Sequence, residues 1–144
     1  MFKIPVRDQI WEINKPQIMG ILNATKDSFY EGSRVQAIDL AIEKAGQFIL
    51  EGASIIDIGG QSTRPNAPLN TIEEETANVV PIVEAIHAHF PNILLSVDTF
   101  HSAVAKEALN AGAHIVNDIS CGSFDTAMYK TVARAGMTSN AMKR

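Results

Sequence analysis

The chain has 144 residues, of which 46% are hydrophobic and 19% are charged, and its formal net charge is −4. This length allows one domain with a hydrophobic core, and the composition is typical of a soluble globular protein. The negative charge excludes a broad basic face for nucleic acid, and no apolar run approaches the length that spans a membrane. An anionic ligand would therefore need a local group of cations or a metal ion.

The cysteine content and the N-terminal residues favour a cytoplasmic protein. The single cysteine, Cys121, excludes an internal disulfide and suits a reducing compartment. The first residues lack the long apolar run of a secretory signal peptide. We therefore expect a cytoplasmic protein that binds neither membranes nor nucleic acid.

Predicted strands and helices alternate along the chain after a mixed N-terminal stretch. Residues 1–16 are interpreted as an extension, a lid or hairpin, in which Gln9–Ile13 forms a short strand. Short apolar runs bounded by turn residues predict four strands, and apolar residues at helical spacing predict four helices. The strands are expected at 17–22, 54–58, 93–97 and 114–116, and the helices at 33–52, 71–90, 102–112 and 124–135.

Three features of the second predicted helix concern its start, a proline within it and two histidines near its end. Thr71 is followed three residues later by Glu74, the spacing of a capping box. Pro81 lies within the helix and predicts a kink or a break. His87 and His89 do not share a helix face, so we interpret them as solvated side chains rather than metal ligands.

The last residues do not fit the repeating pattern. A glycine precedes the second and fourth predicted strands, and Gly136 predicts in the same way a fifth strand near Thr138. The residues that follow are polar, however, which argues against a buried parallel strand. Ser139–Met142 also resembles an expression tag, so residues 137–144 are interpreted as an anomalous, tag-like tail.

Polar groups follow every predicted strand. Asn23, the Gly59–Arg64 stretch, Asp98 and Asn117 occupy these four ends. A doubly wound sheet would concentrate such groups at one switch point, whereas a barrel mouth uses every strand end. The predicted fold class is therefore α/β, a (β/α)₈ TIM barrel. Since such a barrel needs about 250 residues, residues 17–136 would supply about its first four β/α units, the N-terminal half.

Four segments, in order, resemble the signatures of the dihydropteroate synthase family of pterin-binding barrel enzymes. Lys26 stands where the family often has proline, and Gln61 where it often has glutamate. The family's later pterin and phosphate groups have no counterpart in these residues. The matching segments are IMGILNATKDSF at 18–29, GASIIDIGGQSTRP at 52–65, SVDT at 96–99 and IVNDIS at 115–120.

The resemblance implies a transferase of folate biosynthesis. Family members are TIM barrels, usually homodimers, and are the targets of sulfonamides. They condense 7,8-dihydropterin-6-ylmethyl diphosphate with 4-aminobenzoate, assisted by Mg²⁺. The products are 7,8-dihydropteroate and diphosphate.

The resemblance also assigns roles in catalysis. Asn23 would coordinate Mg²⁺ beside the diphosphate, and Arg64 would lie near the phosphates. Asp27 would stabilise the cationic pterin carbon and, with Ser28 and Phe29, shape the aminobenzoate site. The implied catalytic residues are thus Asn23, Asp27 and Arg64.

The remaining assignments concern the pterin. Thr63 would lie near its side chain, with Ser62 in the same loop. Asp98 and Asn117 would hydrogen-bond its amino and ring nitrogens, and Ile119 would line its slot. A carboxylate and an amide can pair with the donors and acceptors of a 2-amino-4-oxo pyrimidine edge.

Two further carboxylates are interpreted as structural. Asp57 lies inside the second predicted strand, where we expect a hydrogen-bonded carboxylate of the barrel interior. Asp118 follows Asn117 directly, so strand alternation points its side chain away from the pocket.

Two alternatives to the synthase are kept. One is a pterin-binding methyltransferase domain, although loops suited to diphosphate argue against it. The other is an inactive half-barrel fragment, whose open sheet edges and apolar face would cause the 144-residue chain to aggregate or dimerise. We accordingly expect the isolated chain to lack synthase activity.

Overall fold

The structure is a computed structural model that describes residues 1–7, 9–25, 33–61, 68–135 and 138–141. It contains the predicted alternation of strands and helices. The strands are β1 (Phe2–Val6), β2 (Gln9–Ile13), β3 (Met19–Asn23), β4 (Ile55–Gly59), β5 (Leu94–Asp98), β6 (Ile115–Asp118) and β7 (Thr138–Ala141). The helices are α1 (Arg34–Leu50), α2 (Ile72–His89), α3 (Ser102–Ala111) and α4 (Met128–Arg134).

Strands β3 to β7 form one sheet in which every neighbouring pair is parallel. Their order in the sheet, β3-β4-β5-β6-β7, is their order in the chain. Among the described residues, one helix connects each of these strands to the next, which makes four successive β/α units. The predicted α/β class is confirmed.

The hydrophobic core lies between the helices and one face of this sheet. Alternate strand residues, such as Leu22, Ile58 and Val97, are fully buried there. Each buried side chain of this size contributes about 1.5–3 kcal/mol. The opposite face carries the residues of the other parity, among them Ile21, which is 62% exposed. Helix residues complete the core: Ala41, Ala45, Val79, Val83, Ile86, Ala105, Ala108 and Val132.

Helix α2 begins at the predicted capping box. The Thr71 hydroxyl accepts from the Glu74 amide, and the Glu74 carboxylate accepts from the Thr71 amide at 3.0 Å. Such a cap stabilises a helix by about 1 kcal/mol. The helix continues through Pro81, so the predicted break is wrong. Val79 and Val83, on either side of Pro81, both remain in the core, so packing maintains the helix across the proline.

The start of α3 depends on a side chain from further along the sequence. The backbone amide of Ser102 donates to Asp125 Oδ2 at 2.8 Å, and Ala127 donates to Oδ1 of the same carboxylate. Asp125 therefore lies in a turn, and the last helix begins at Met128 rather than at Phe124. The hydrogen bonds from Ser102 are the main reason that the pKa of Asp125 lies below its usual value.

The N-terminal hairpin attaches to the opposite end of the sheet from the polar strand ends. β1 and β2 pair antiparallel, with Phe2 opposite Ile13. Arg7 follows β1 with a φ of 52° and donates through Nη2 to the carbonyls of Leu109, 2.9 Å away, and Ala113, 3.0 Å away. One guanidinium thus joins the hairpin to the end of α3.

Two expectations about polar residues are wrong. The first is that the polar tail would not form a parallel strand. Thr138–Ala141 pairs parallel with β6, because backbone hydrogen bonds at a sheet edge do not require apolar side chains.

The second is that His87 would be solvated. His87 is half-buried and its ring lies 5.8 Å from that of His114, with Nδ1 lacking a partner among the described residues. The space beside Gly112 admits the His87 ring, since a Cβ there would lie 2.6 Å from its Cγ.

Candidate functional site

Four residues form a row across the carboxyl end of the sheet. Asn23 is in register with Gly59, Gly59 with Asp98, and Asp98 with Asn117. Because neighbouring strands lie about 4.8 Å apart, three polar side chains on one face come within reach of one small ligand. We call Asn23, Gly59, Asp98 and Asn117 the polar row.

The glycine in the polar row makes room for a neighbour. A Cβ built on Gly59 would lie 3.5 Å from Asp98 Cβ and 3.6 Å from its Oδ2. The Asp98 side chain therefore lies against the place where residue 59 has no side chain. This position keeps the carboxylate at the end of the sheet, on the face opposite the helices.

The environment of Asp98 favours its protonated form. Burial, followed by the negative charges of Asp57, Glu75 and Asp118, raises the pKa of Asp98 from 3.8 to about 6. The carboxylate accepts no hydrogen bond from another residue in the described part of the chain. At neutral pH it is therefore an ionised acceptor available to a ligand.

Asn117 is oriented by a second buried carboxylate. Its Nδ2 donates to Asp57 Oδ2 at 3.1 Å, across the intervening strand β5. Because a carboxylate only accepts, the amide NH₂ must face Asp57, and Asn117 Oδ1 is directed elsewhere as an acceptor. Asp57 is 3% exposed, and its Oδ1 has no partner within the described residues. The expected hydrogen bonding of the Asp57 carboxylate is thus found for Oδ2 only, within the described residues.

Asp118 has a structural role on the other face of β6. Its two carboxylate oxygens accept from the amides of Ser120 and Gly122, both at 2.8 Å. The predicted orientation, away from Asn117, is confirmed. These bonds hold a tight turn beside Ile119, whose side chain is 47% exposed near the polar row.

Asn23, the predicted ligand of Mg²⁺, lies within the described residues. Its side chain is half-buried and forms no hydrogen bond to another described residue. Within the described ranges, no group of three or more His, Cys, Asp or Glu could hold a metal ion. An amide oxygen is a hard donor that fits Mg²⁺ when substrate phosphates supply further oxygens, so the donor set fits a metal shared with a phosphate ligand.

Six sequence-predicted site residues lie outside the described part of the chain. The flanking residues show that both stretches leave the sheet at the end that carries the polar row, because Ala24 follows β3 and Gly60 follows β4. The Ala24 amide donates to the Gly59 carbonyl at 2.7 Å. The six residues are Asp27, Ser28, Phe29, Ser62, Thr63 and Arg64.

Sequence reasoning missed one buried carboxylate near this end of the sheet. Glu75 is completely buried on α2, where its Oε2 contacts Gln61 and His101. The available signal was its spacing of four residues before Val79, which places a charge on the apolar stripe of the helix.

The comparison with known families identifies the relatives of this fold. The sequence pattern of the family described as "Pterin binding enzyme" matches residues 19–143. The chain belongs to this family. Its described helices include none long and apolar enough to cross a membrane.

Individual relatives of this chain are folate-synthesis proteins. It is 46% identical over 142 residues to the "Folate synthesis bifunctional protein, mitochondrial" of Arabidopsis thaliana, an alignment that covers 96% of this chain. The 7,8-dihydropteroate synthase of Vibrio fischeri ES114 superposes with a TM-score of 0.88 at 36% identity over 99% of this chain. The dihydropteroate synthase of Xanthomonas albilineans, solved with 4-aminobenzoic acid, gives 0.87 at 33% identity over 98%.

The chain is shorter than these relatives. It spans 26% of the Arabidopsis protein, and 50% and 51% of the two synthase structures. The resemblance to the dihydropteroate synthase family, inferred from four motifs, is confirmed for this N-terminal portion.

Proposed function

We propose that this chain supplies the first four β/α units of a (β/α)₈ barrel and half of the active site of a dihydropteroate synthase. The reaction condenses 7,8-dihydropterin-6-ylmethyl diphosphate with 4-aminobenzoate and releases diphosphate. The single observation that carries the proposal is the polar row, which brings Asn23, Asp98 and Asn117 to one end of the sheet. The likeness to half of two synthase structures supports it.

In this proposal the polar row holds the pterin ring. A pterin presents N–H donors along its 2-amino-pyrimidine side, and the Asp98 carboxylate and Asn117 Oδ1 are both acceptors. Leaving one such group unpaired in a dry slot would cost about 1–3 kcal/mol. The exposed Ile119 side chain would cover an apolar face of the ring.

The chemistry requires no protein nucleophile. The C–O bond between the pterin methylene and the diphosphate breaks, and the arylamine nitrogen forms a new bond to the same carbon. The amine then loses one proton to solvent or to the departing diphosphate. Asp27 would stabilise the positive charge that develops on the methylene carbon, and Arg64 the charge on the leaving group.

Other site residues keep their predicted roles within the proposal. Ser28 and Phe29 would contact the aminobenzoate, and Ser62 and Thr63 would lie near the pterin side. Asn23 would provide the protein oxygen for Mg²⁺. When bound, the metal would neutralise charge on the departing diphosphate.

Assembly and location remain predictions. A homodimer and a cytoplasmic location are expected from the family resemblance and the sequence. The Arabidopsis relative is named as mitochondrial, so a location in an organelle is an alternative.

The experiment that tests the proposal has two measurements on one sample. The intact mass of the protein is determined first, and the binding of 6-hydroxymethylpterin and the aminobenzoate-dependent release of diphosphate are then followed. We expect pterin binding that is lost in Asp98→Ala and retained in Asp39→Ala, an exposed site on α1. Absence of pterin binding by the folded protein would contradict the proposal. Turnover by a sample with the mass of 144 residues would contradict the expectation that this chain is inactive alone.

A further inference from the structure

A hydrogen-bonded network joins the two described ends of the loop that follows β4. Gln61 Oε1 accepts from the Asn70 amide at 2.9 Å, and Gln61 Nε2 lies 3.2 Å from the Asn70 carbonyl. Asn70 Nδ2 donates to the Gly60 carbonyl at 2.7 Å. Three hydrogen bonds therefore fix where the chain leaves the sheet, at Gly60 and Gln61, and where it returns, at Asn70.

Glu75 holds this junction from inside the core. Its side chain has no exposed surface, and its Oε2 accepts from Gln61 Nε2 at 2.5 Å. The same oxygen lies 2.9 Å from His101 Nδ1, which must carry the proton because a carboxylate only accepts. Glu75 Oε1 has no hydrogen-bond partner among the described residues. A buried carboxylate with one unpaired oxygen destabilises the folded state. We therefore interpret Glu75 by the geometry that it fixes rather than by a contribution to stability.

The backbone is pressed against α2 at this junction. A Cβ on Gly60 would lie 2.7 Å from Glu75 Cγ and 2.7 Å from Val79 Cγ2. Gly60 thus permits a close approach that brings Gln61 within reach of the buried carboxylate.

The amide at position 61 matches the carboxylate at position 75. Gln61 donates through Nε2 to Glu75 and accepts through Oε1 from Asn70. A glutamate at position 61 could accept from Asn70 but could not donate to Glu75 unless it were protonated. The departure of Gln61 from the family pattern is thus complementary to its surroundings.

We propose that Glu75 is a positioning residue, which acts through Gln61 to fix both ends of the loop that carries Ser62, Thr63 and Arg64. This inference rests on the proposed function, in which that loop serves the diphosphate. Loss of the Glu75–Gln61 contact should weaken binding of a pterin diphosphate more than binding of the same pterin without its diphosphate.

The test compares Glu75→Gln, Gln61→Glu and the exchanged pair Gln61→Glu/Glu75→Gln. Glu73→Gln, at an exposed position of the same helix, is the matched control. Affinities for 6-hydroxymethyl-7,8-dihydropterin diphosphate and for the pterin lacking diphosphate are measured by titration calorimetry. We expect each single substitution to weaken the diphosphate ligand roughly tenfold, because small displacements of a binding loop have large effects. The exchanged pair keeps one carboxylate and one amide, so affinity should return to within about threefold.

Two results would overturn the proposal. One is an unchanged affinity for the diphosphate ligand in both single variants. The other is an equal loss for both ligands, which indicates a general effect on stability. If Glu75→Gln does not fold, Gln61→Glu alone, which removes the donor to Glu75, makes the same comparison.

A second readout separates this inference from the proposed function. Hydrogen exchange of the Asn70 amide, which donates to Gln61, is measured without ligand. We expect faster exchange in Glu75→Gln than in Glu73→Gln, and equal exchange would overturn the positioning role. If the parent protein binds neither pterin, the proposed function fails while the exchange result still decides whether Glu75 positions the loop ends.

Discussion

The side-chain amide of Asn117 donates a 3.1 Å hydrogen bond to the buried carboxylate of Asp57, although 60 residues separate them in the chain. The bond spans from β6 to β4, across β5. It connects the orientation of one polar-row residue to a charge that also acts on another, because the Asp57 carboxylate raises the pKa of Asp98.

Replacing Asp57 should therefore change two properties of the site. In Asp57→Asn the new amide no longer fixes which way the Asn117 amide faces, and we expect pterin affinity to fall roughly fivefold to tenfold. The pKa of Asp98 should fall because a neighbouring negative charge is lost. Calorimetry and an NMR titration of Asp98 measure the two effects, with Asp39→Asn on α1 as the control. An unchanged Asp98 titration would contradict this account.

Pterin binding should depend on pH through Asp98. Only the ionised carboxylate is an acceptor for two donors, and its pKa is about 6. The apparent dissociation constant should thus increase about tenfold between pH 7 and pH 5, one decade per pH unit below the pKa. Fluorescence titrations with 6-hydroxymethylpterin across this range measure the effect. Asp98→Asn should bind weakly with a flat profile, and a steep profile in that variant would assign the dependence to another group.

The adjacent glycines after β4 should respond differently to a methyl group. In Gly60→Ala the new Cβ would lie 2.7 Å from Glu75 and Val79 side-chain atoms, and such overpacking costs about 1–3 kcal/mol of unfolding free energy. In Gly59→Ala the nearest neighbour of the new methyl group, Asp98 Cβ, is at 3.5 Å, an ordinary contact, so the loss should stay below about 1 kcal/mol. Urea denaturation measures both, and equal losses would contradict the packing at Gly60.

The N-terminal hairpin should depend on Arg7. Arg7→Ala removes the bonds to the Leu109 and Ala113 carbonyls, and we expect a loss of about 1–3 kcal/mol in unfolding free energy. Lys3→Ala is the control, because its 2.7 Å ion pair with Glu12 is half-exposed and contributes about 0–1 kcal/mol. Thermal and urea unfolding measure both variants. A loss in Lys3→Ala as large as in Arg7→Ala would contradict the anchoring role.

Stability should fall in mild acid because of His114. Burial, followed by the charges of Arg7 and His87, lowers the pKa of His114 from 6.5 to about 4. Between these values the unfolded chain binds the proton more readily, so stability decreases as the pH falls from about 6.5 to 4, by roughly 1–3 kcal/mol. Asp98, with a raised pKa, has the opposite effect between pH 3.8 and about 6.

Variants separate these two opposing contributions. His114→Gln should flatten the acid loss, whereas Asp98→Asn should steepen it, since the offsetting group is removed. Urea denaturation at pH 4.5 and pH 7 measures the difference in each variant. Identical pH slopes in the parent and in His114→Gln would contradict the role of His114.

The sequence was sufficient where a local pattern determines the answer. Apolar runs and capping residues located the strands and helices, and the rule that parallel strands share a carboxyl end brought Asn23, Asp98 and Asn117 together. The alternation of side chains also separated Asn117 from Asp118 correctly.

Other features depend on partners that are distant in the chain. Asp125 fills the N-terminus of α3 instead of starting a helix, and Glu75 is buried because Gln61 and His101 provide donors. The polar strand β7 forms because β6 offers an unpaired edge. Neither periodicity nor composition predicts these contacts, because predicting them requires knowing which elements lie next to one another in the fold.

The register of the polar row also predicts where insertions can be tolerated. Extra residues in the connections that follow α1 or α2 would leave each strand's pairing intact. Insertion of one residue inside β5, by contrast, would turn the residues beyond it to the opposite faces of the sheet, so Val97 and Asp98 would exchange faces. The carboxylate would then face the helix layer, and an apolar side chain would face the ligand. Length variation among relatives should accordingly fall in the connections between the strands and be absent from the strands themselves.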